Sequence, residues 1–388
     1  MKSKRAIASW LSSRSRLIAG LLSIGLVASS LAIGISATHA QQTYAPIHTY
    51  RLTDLGVVSG MTASEPAAIN NLGAVVGTST AGTHGCAFRY YNNTMEDIGG
   101  IGSRAFGISQ TGAVVGDFVR TEPLAAFNHA ALFKGGAPLD LGVLPGALFS
   151  RANAVNSNGY VVGYSGSEFD SDNSRAFVWQ LSTGMIDIGT LGGPYAQAMA
   201  INDAGYATGN ASIAQSIGAR HAFLYQVWPG MGPAKPMRDL GTLGGVSSYG
   251  MAINMSNHVV GYSMLKSYNT VHGFLYDGGT LIDLGSLSPN VPRDDYSVAL
   301  GINNRDQIVG YSYVGNIGSD AVRQAAFVYG AFPQAGMLNL NDLISRVAAP
   351  EYWIFAATAI NDQGQIAACA YRDHDGLVHA VLLTPMGN

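Results

Sequence analysis

The chain has little charge: Asp, Glu, Lys and Arg make up 12% of its 388 residues, against roughly a quarter in an ordinary globular protein. Gly, Ser, Asn and Tyr carry the surface instead, as on many secreted β-proteins. No Lys or Arg run interleaved with aromatics occurs, which argues against nucleic acid as a partner. With only Cys86 and Cys369 there is no disulfide framework. After residue 40, no stretch keeps helical periodicity over the ten or so residues that a helix needs. Enzyme signatures are missing too: there is no Gly-x-Ser-x-Gly elbow, phosphate loop, His-Glu-x-x-His or dinucleotide fingerprint.

Residues 1–40 differ from the rest. Lys2, Lys4, Arg5, Arg14 and Arg16 precede an apolar run from Leu17 to about Ser36, and Thr38-His39-Ala40 has the small residues a signal peptidase favours. The segment reads as a signal peptide, with an uncleaved anchor as the other reading because the run is long enough to span a bilayer. Both place residues 41–388 outside the cytoplasm: secreted, periplasmic or on the cell surface. The mature domain then meets no membrane unless the segment stays uncleaved. Its removal takes five cations and no acid, which leaves an acidic chain.

What is present is a repeat. An Ala-Ile-Asn block anchors units at Ile69, Ile108, Val155, Ile201, Ile253, Ile302 and Ile360, separated by 39, 47, 46, 52, 49 and 58 residues. Unit four is the clearest: Met199 to Gly209, then His221-Ala222-Phe223-Leu224-Tyr225, then Asp239-Leu240-Gly241-Thr242-Leu243-Gly244-Gly245. Each unit offers four short apolar runs. Asn-rich turns such as Asn202-Asp203-Ala204-Gly205 join the first two, and pairs such as Val161-Val162 suit a buried pleated surface. Seven units of four strands predict an all-β, seven-bladed β-propeller filling residues 41–388 as one domain. The seventh unit stops before its Asp-Leu-Gly strand, while Tyr50 to Gly56 has the form of a fourth strand with no first three. The N-terminal strand therefore completes the last blade and closes the ring.

Closure makes the blades of Cys86 and Cys369 neighbours. A disulfide across the closure and two buried free thiols both fit, and the demanding geometry of the bond favours the thiols.

The recurrent polar residues are His129, His221, His272 and His379 before the third strand, and Asp54, Asp97, Asp140, Asp187, Asp239 and Asp283 before the Leu/Ile-Gly. They read as blade construction, since they occur once per blade, whereas a reaction needs one asymmetric site. The loop from Glu168 to Asn173 offers oxygen ligands, with Asp170 and Asp172 as candidates for Ca²⁺, but lacks the turn Gly and distal Glu of a calcium loop. A solvated loop is the default there, and no other metal or cofactor is expected. Glycosidase chemistry needs two convergent carboxylates, for which Glu65, Glu168 and Asp294 or Asp295 are available.

One column varies where its flanks stay small. Ahead of six anchors stand Glu65, Arg104, Arg151, Gln197, Tyr249 and Val298, as in Ser150-Arg151-Ala152. The seventh copy, Phe355-Ala356-Ala357, places its bulky residue one position early. These six should ring the mouth of the central channel as a ligand surface of mixed polar and aromatic character; drift at a solvent-filled mouth is the other reading. Long, dissimilar connections between strands two and three, and between blades, should emerge on the same face.

The combination of Ala-Ile-Asn-x-x-Gly-x-x-x-Gly, His-Ala-Phe-Leu-Tyr and Asp-Leu-Gly-Thr-Leu-Gly-Gly resembles the HAF-repeat family of bacterial probable extracellular repeat proteins. It departs from that pattern at Cys86, Arg175 and Ala325 for His, Ser109 for Asn, Asn257 and Asp306 for the turn Gly, and Ala368 for the strand-end Gly. The resemblance implies export and a propeller-like repeat, but no established reaction. The expectation is a non-catalytic exported propeller that binds an extracellular glycan, peptide or protein on its long-loop face. The alternative is an extracellular polysaccharide hydrolase or lyase on the same scaffold, and a third possibility is an assembly or surface-layer component.

Overall fold

The computed structural model describes residues 50–386, apart from 123–124, 168–172, 215–217, 228–235, 267–269, 292–294, 316–321, 331–335, 346–348 and 350. The N-terminal segment lies outside the described residues. The rest is a seven-bladed β-propeller, each blade a four-stranded antiparallel sheet. The inner strands are Ala63–Ile69, Ser103–Ile108, Phe149–Val155, Gly192–Ile201, Gly244–Ile253, Ser297–Ile302 and Tyr352–Ile360. Among the described residues the one helical element is a 3₁₀ turn, Leu340–Asp342. The N-terminal strand Tyr50–Asp54 pairs antiparallel with Val378–Pro385 and completes blade seven.

The anchor Asn does two jobs. Asn254 Oδ1 accepts from the backbone N–H of Ser256 and His258, pinning its own turn at 3.0 Å each. Its Nδ2 donates at 3.1 Å to the Asn303 carbonyl in the next blade. The same stitch runs from Asn70 to Ser109, Asn156 to Asn202, Asn202 to Asn254, Asn303 to Asn361 and, across the closure, Asn361 to Asn70. Ser109 has no amide for the step to blade three. Asn257 and Asp306, which replace the turn Gly, take φ of 62° and 58°. Each adds a side-chain acceptor for the preceding blade's Asn, at 2.8 Å.

On the other face, the small residue five before the anchor is a second stitch. Ser64, Ser103, Ser150, Ser248 and Ser297 are fully buried. Each accepts from a backbone N–H of the preceding blade's third strand, as Ser150 does from Ala130 and Ser64 from Ala380, and donates to a Gly carbonyl, as Ser150 does to Gly142. In blade seven Asn341 substitutes, bonding both the N–H and the carbonyl of Ile354. Side-chain hydrogen bonds therefore satisfy backbone groups that the ring buries between sheets. Alternating apolar residues such as Val260, Phe274 and Phe327 fill the spaces between blades.

Candidate functional site

Just before each anchor, the pairing of strands one and two slips by one residue: at Pro66/Ala68, Ala105/Gly107, Ala152/Ala154, Ala198/Ala200, Gly250/Ala252, Ala299/Gly301 and Ala357/Ala359. These are β-bulges, each leaving one residue unpaired. Those residues (Ala67, Phe106, Asn153, Met199, Met251, Leu300 and Thr358) wall a cavity of about 200 Å³ on the axis. The waist of the channel is thus mostly apolar. The bulge also brings the carbonyl four residues before the anchor onto strand two, which explains that strand's recurrent glycine: a Cβ at Gly163 or Gly261 would collide with the carbonyl oxygen of Arg151 or Tyr249. Blade seven has Ala368 there and a second slip at Ile354/Ala356, so Phe355 is an extra bulge residue.

The two ends of the channel differ. On the Asn-turn side a polar cavity of about 290 Å³ is lined by Asn71, Gln110, Asp203, Asn304 and Asp362, among others. Its polar groups bond one another from blade to blade. Asp362 accepts from the Asn304 N–H at 2.8 Å and from Asn71 Nδ2 at 2.7 Å, and Asp203 from the Ser157 N–H at 2.7 Å. Burial alone would raise the Asp362 carboxyl, yet these hydrogen bonds hold it below the usual carboxylate range. This mouth is occupied with holding the ring together.

The opposite end carries the long connections, because antiparallel order puts both the strand two to three loops and the interblade loops there. The six candidate residues lie on that half of the inner strands, one bulge away from the channel wall. Each faces a strand-two partner: Glu65 Thr78, Arg104 Asp117, Arg151 Tyr164, Gln197 Asn210, Tyr249 Tyr262 and Val298 Tyr311. Arg104 and Arg151 are brought together. Arg104 binds the fully buried Asp117 through two bonds, at 2.9 and 2.7 Å, and Arg151 reaches it from blade three at 3.2 Å. Both guanidiniums also lie over the Phe106 ring.

Blades five and six hold an aromatic cluster. Tyr249 stacks on Tyr262 with centroids 4.6 Å apart, and Tyr296 on Tyr313 at 4.5 Å. Tyr296 also hydrogen-bonds Tyr311. Burial, then the neighbouring Tyr249 and Tyr296, pushes the Tyr262 phenol up to about 12. Glu65 is exposed, Gln197 is half-buried and Val298 is 3% exposed. The candidates therefore divide into an arginine sector and a tyrosine sector, with Val298 beneath the surface. Sequence reasoning missed Asp117, Tyr262, Tyr296, Tyr311 and Tyr313, which lie outside the variable column. The signal available was the recurring polar or aromatic residue after the strand-two Gly: Asp117, Tyr164, Asn210, Tyr262 and Tyr311.

In the four blades that carry both, the recurrent His and Asp meet. His129 pairs with Asp140, His221 with Asp239, His272 with Asp283 and His379 with Asp54, at 2.8 to 3.0 Å. Arg175, in the His position, pairs with Asp187 at 3.0 Å. All six recurrent aspartates also accept from the N–H of the Gly two residues on, as Asp283 does from Gly285. These pairs tie strand three to strand four. Among the described residues, His272 alone of these histidines bonds a second carboxylate, Asp295, at 2.8 Å through Nε2. Burial works against its charge, but hydrogen bonds to Asp283 and Asp295 outweigh this and raise its pKa.

Cys86 and Cys369 are both buried free thiols. Burial pushes them up to about 11 and 12, with Asp97 and Glu65 adding respectively. No group of three or more potential metal ligands occurs among the described residues. Asp170 and Asp172 lie outside the described residues, as do Glu168 and Asp294. Asp295 is bonded to His272 and to Ser286.

A family described as a protein of unknown function (DUF3466) matches residues 194–377, just under half of the chain. No curated protein matches. Solved structures do. The β-propeller domain of the trilobed protease from Pyrococcus furiosus is 11% identical with a TM-score of 0.48, covering 84% of this chain and 99% of that one. An acylaminoacyl peptidase from Pyrococcus horikoshii is 13% identical at 0.49, covering 84% of this chain and 53% of that one. A puromycin-hydrolyzing peptidase from Mycobacterium tuberculosis is 13% identical at 0.46, covering 87% and 54%. The chain thus spans about half of each of these two peptidases. At such identity none of their activities transfers to it, since one scaffold hosts many unrelated tasks.

Proposed function

We propose that the chain is an exported, non-catalytic propeller that binds an extracellular macromolecule on its long-loop face. The observation that carries this reading is the contrast between the two mouths. One is lined by polar groups that bond one another between blades, while the other presents half-buried tyrosines and two arginines. Tyrosine supplies large, rigid contact area at low entropic cost, and arginine joins it among the residues that carry most binding energy. Exposed apolar residues on connections of the same face, Leu148 and Val291, and at strand ends beside them, Ile101 and Val246, add to the surface.

The likeness to the HAF-repeat family supports export, as do the cations and apolar run before residue 40. A hydrolase or lyase finds less support. Asp117, the carboxylate nearest the arginines, is buried and neutralised by them, and Asp295 is held by His272 and Ser286. Neither is placed as a free acid or base.

The test is to screen the mature chain on glycan and peptide arrays and repeat the screen with Tyr249→Ala. The variant should lose at least ten-fold in apparent affinity for whatever is captured while keeping a cooperative thermal transition. Capture unchanged in a folded variant removes this face from the binding site.

A further inference from the structure

Resting on that reading, we propose that the long-loop mouth and the seam between blades one and two form a site for a linear, neutral oligosaccharide. The seam opens for a reason visible in chain length. Blade one passes from its second to its third strand through Gly82 and Thr83 alone, and reaches blade two through Gly102 alone. The other interblade connections are longer, up to residues 284–296 between blades five and six. The short sector leaves a cleft of about 380 Å³ lined by Thr78, Thr80, Thr83, His84, Arg104 and Asn128, within the roughly 300–1,000 Å³ of small-ligand clefts. Backbones crowd at its floor, where the Gly102 N–H bonds the Gly85 carbonyl at 2.7 Å and the Val119 N–H bonds the Gly102 carbonyl at 2.9 Å. Arg104 belongs to both cleft and mouth, so the two are continuous.

The chemistry along this path is that of a sugar partner. Three threonines and Asn128 give the cleft short polar groups of both donor and acceptor kind. At the inner strands Arg104 and Arg151 share the buried Asp117, and Glu65 stands on the inner strand of blade one. Asp117 fixes both guanidiniums in set planes and offsets part of their charge, an arrangement that suits vicinal hydroxyls. Beyond them Asn210, only 4% exposed, keeps an Oδ1 with no hydrogen-bond partner, a buried acceptor that a hydroxyl can satisfy. The stacked Tyr249–Tyr262 and Tyr296–Tyr313 pairs follow. A pyranose ring carries a C–H face for an aromatic ring and an equatorial rim of hydroxyls for the polar array, and a linear chain of such rings repeats both.

The experiment titrates the mature chain, by calorimetry, with neutral hexasaccharides (cellohexaose, xylohexaose, laminarihexaose, maltohexaose), with hexagalacturonate and with an unstructured decapeptide library. The expected result is saturable binding of at least one neutral hexasaccharide, weakened ten-fold or more in both Tyr249→Ala and Thr80→Trp, the second filling the cleft. Leu181→Ser, on an exposed turn, should bind as the native chain does. Three outcomes overturn the proposal. Hexagalacturonate binding that Arg104→Gln abolishes, with no neutral sugar bound, means charge leads recognition. Peptide binding alone, lost in Tyr249→Ala, means the wrong ligand class. In both cases the long-loop reading survives. If nothing in the panel binds, the sugar site falls, and the array screen with Tyr249→Ala decides the broader reading separately.

Discussion

The side-chain amide of Asn202 donates to the backbone carbonyl of Asn254, 2.8 Å away in the next blade and 52 residues along the chain. The same side chain's Oδ1 accepts from the Tyr206 N–H at 2.9 Å. One residue thus shapes a turn and joins two sheets, which explains why a ring of separate sheets keeps the same asparagine at the end of nearly every inner strand.

Removing that residue and supplying it where it is missing should have opposite effects. Asn254→Ala deletes the turn cap and the stitch and leaves buried backbone groups unpaired, at about 1–3 kcal/mol. Ser109→Asn retains an acceptor for its own turn and supplies an amide facing the Asn156 carbonyl, for a gain of about 0.5–1.5 kcal/mol. Denaturant midpoints measure both. A neutral Asn254→Ala would show that the stitches are incidental to ring stability.

Asp117 is fully buried between Arg104 and Arg151. Asp117→Ala leaves two guanidiniums facing each other without a counter-charge. The loss should be about 2–3 kcal/mol, less than the roughly 3–5 kcal/mol of a fully buried broken pair because both arginines reach solvent. Arg151→Ala should cost less, since Arg104 still holds the carboxylate through two bonds. Thermal unfolding of both variants checks the order, and a larger loss for Arg151→Ala contradicts it.

His272 should make stability depend on pH. Its folded pKa is raised by Asp283 and Asp295 against the opposing effect of burial, so its contribution is complete below the unfolded value of about 6.5. That contribution is lost as pH rises through the folded value. Asp283, whose pKa the same bond lowers against burial, contributes above about 3.9 and loses its share as pH falls through its folded value. The difference in Tm between the native chain and Asp295→Asn should be largest near pH 5 to 6 and shrink toward pH 8. A difference constant across that range removes the charge of His272 from the account.

Departures from the repeat were visible in the sequence, but their meaning was not. Asn257 and Asp306 read as missing turn glycines; in the ring they take positive φ and give the preceding blade a further acceptor. Phe355 read as a bulky residue one position early, and the second slip in blade seven accounts for it. The serines before the anchors read in the sequence only as small flanks of the variable column. Their hydroxyls bond the preceding blade, a role that no spacing within one unit reveals.

By itself the sequence determined the seven blades of four strands, the closing role of Tyr50–Asp54 and the structural part of the His and Asp columns. Each follows from a pattern repeated along one chain, where turn chemistry and strand periodicity act locally. Only the tertiary structure decided which variable column meets the axis. A bulge breaks the two-residue alternation just before every anchor, so Phe106 and Met199 wall the channel while Arg104 and Gln197 lie one bulge away on the long-loop half. It alone also decided that Arg104 and Arg151 share Asp117, because contacts between blades depend on how sheets face one another around a ring, and no local rule encodes that.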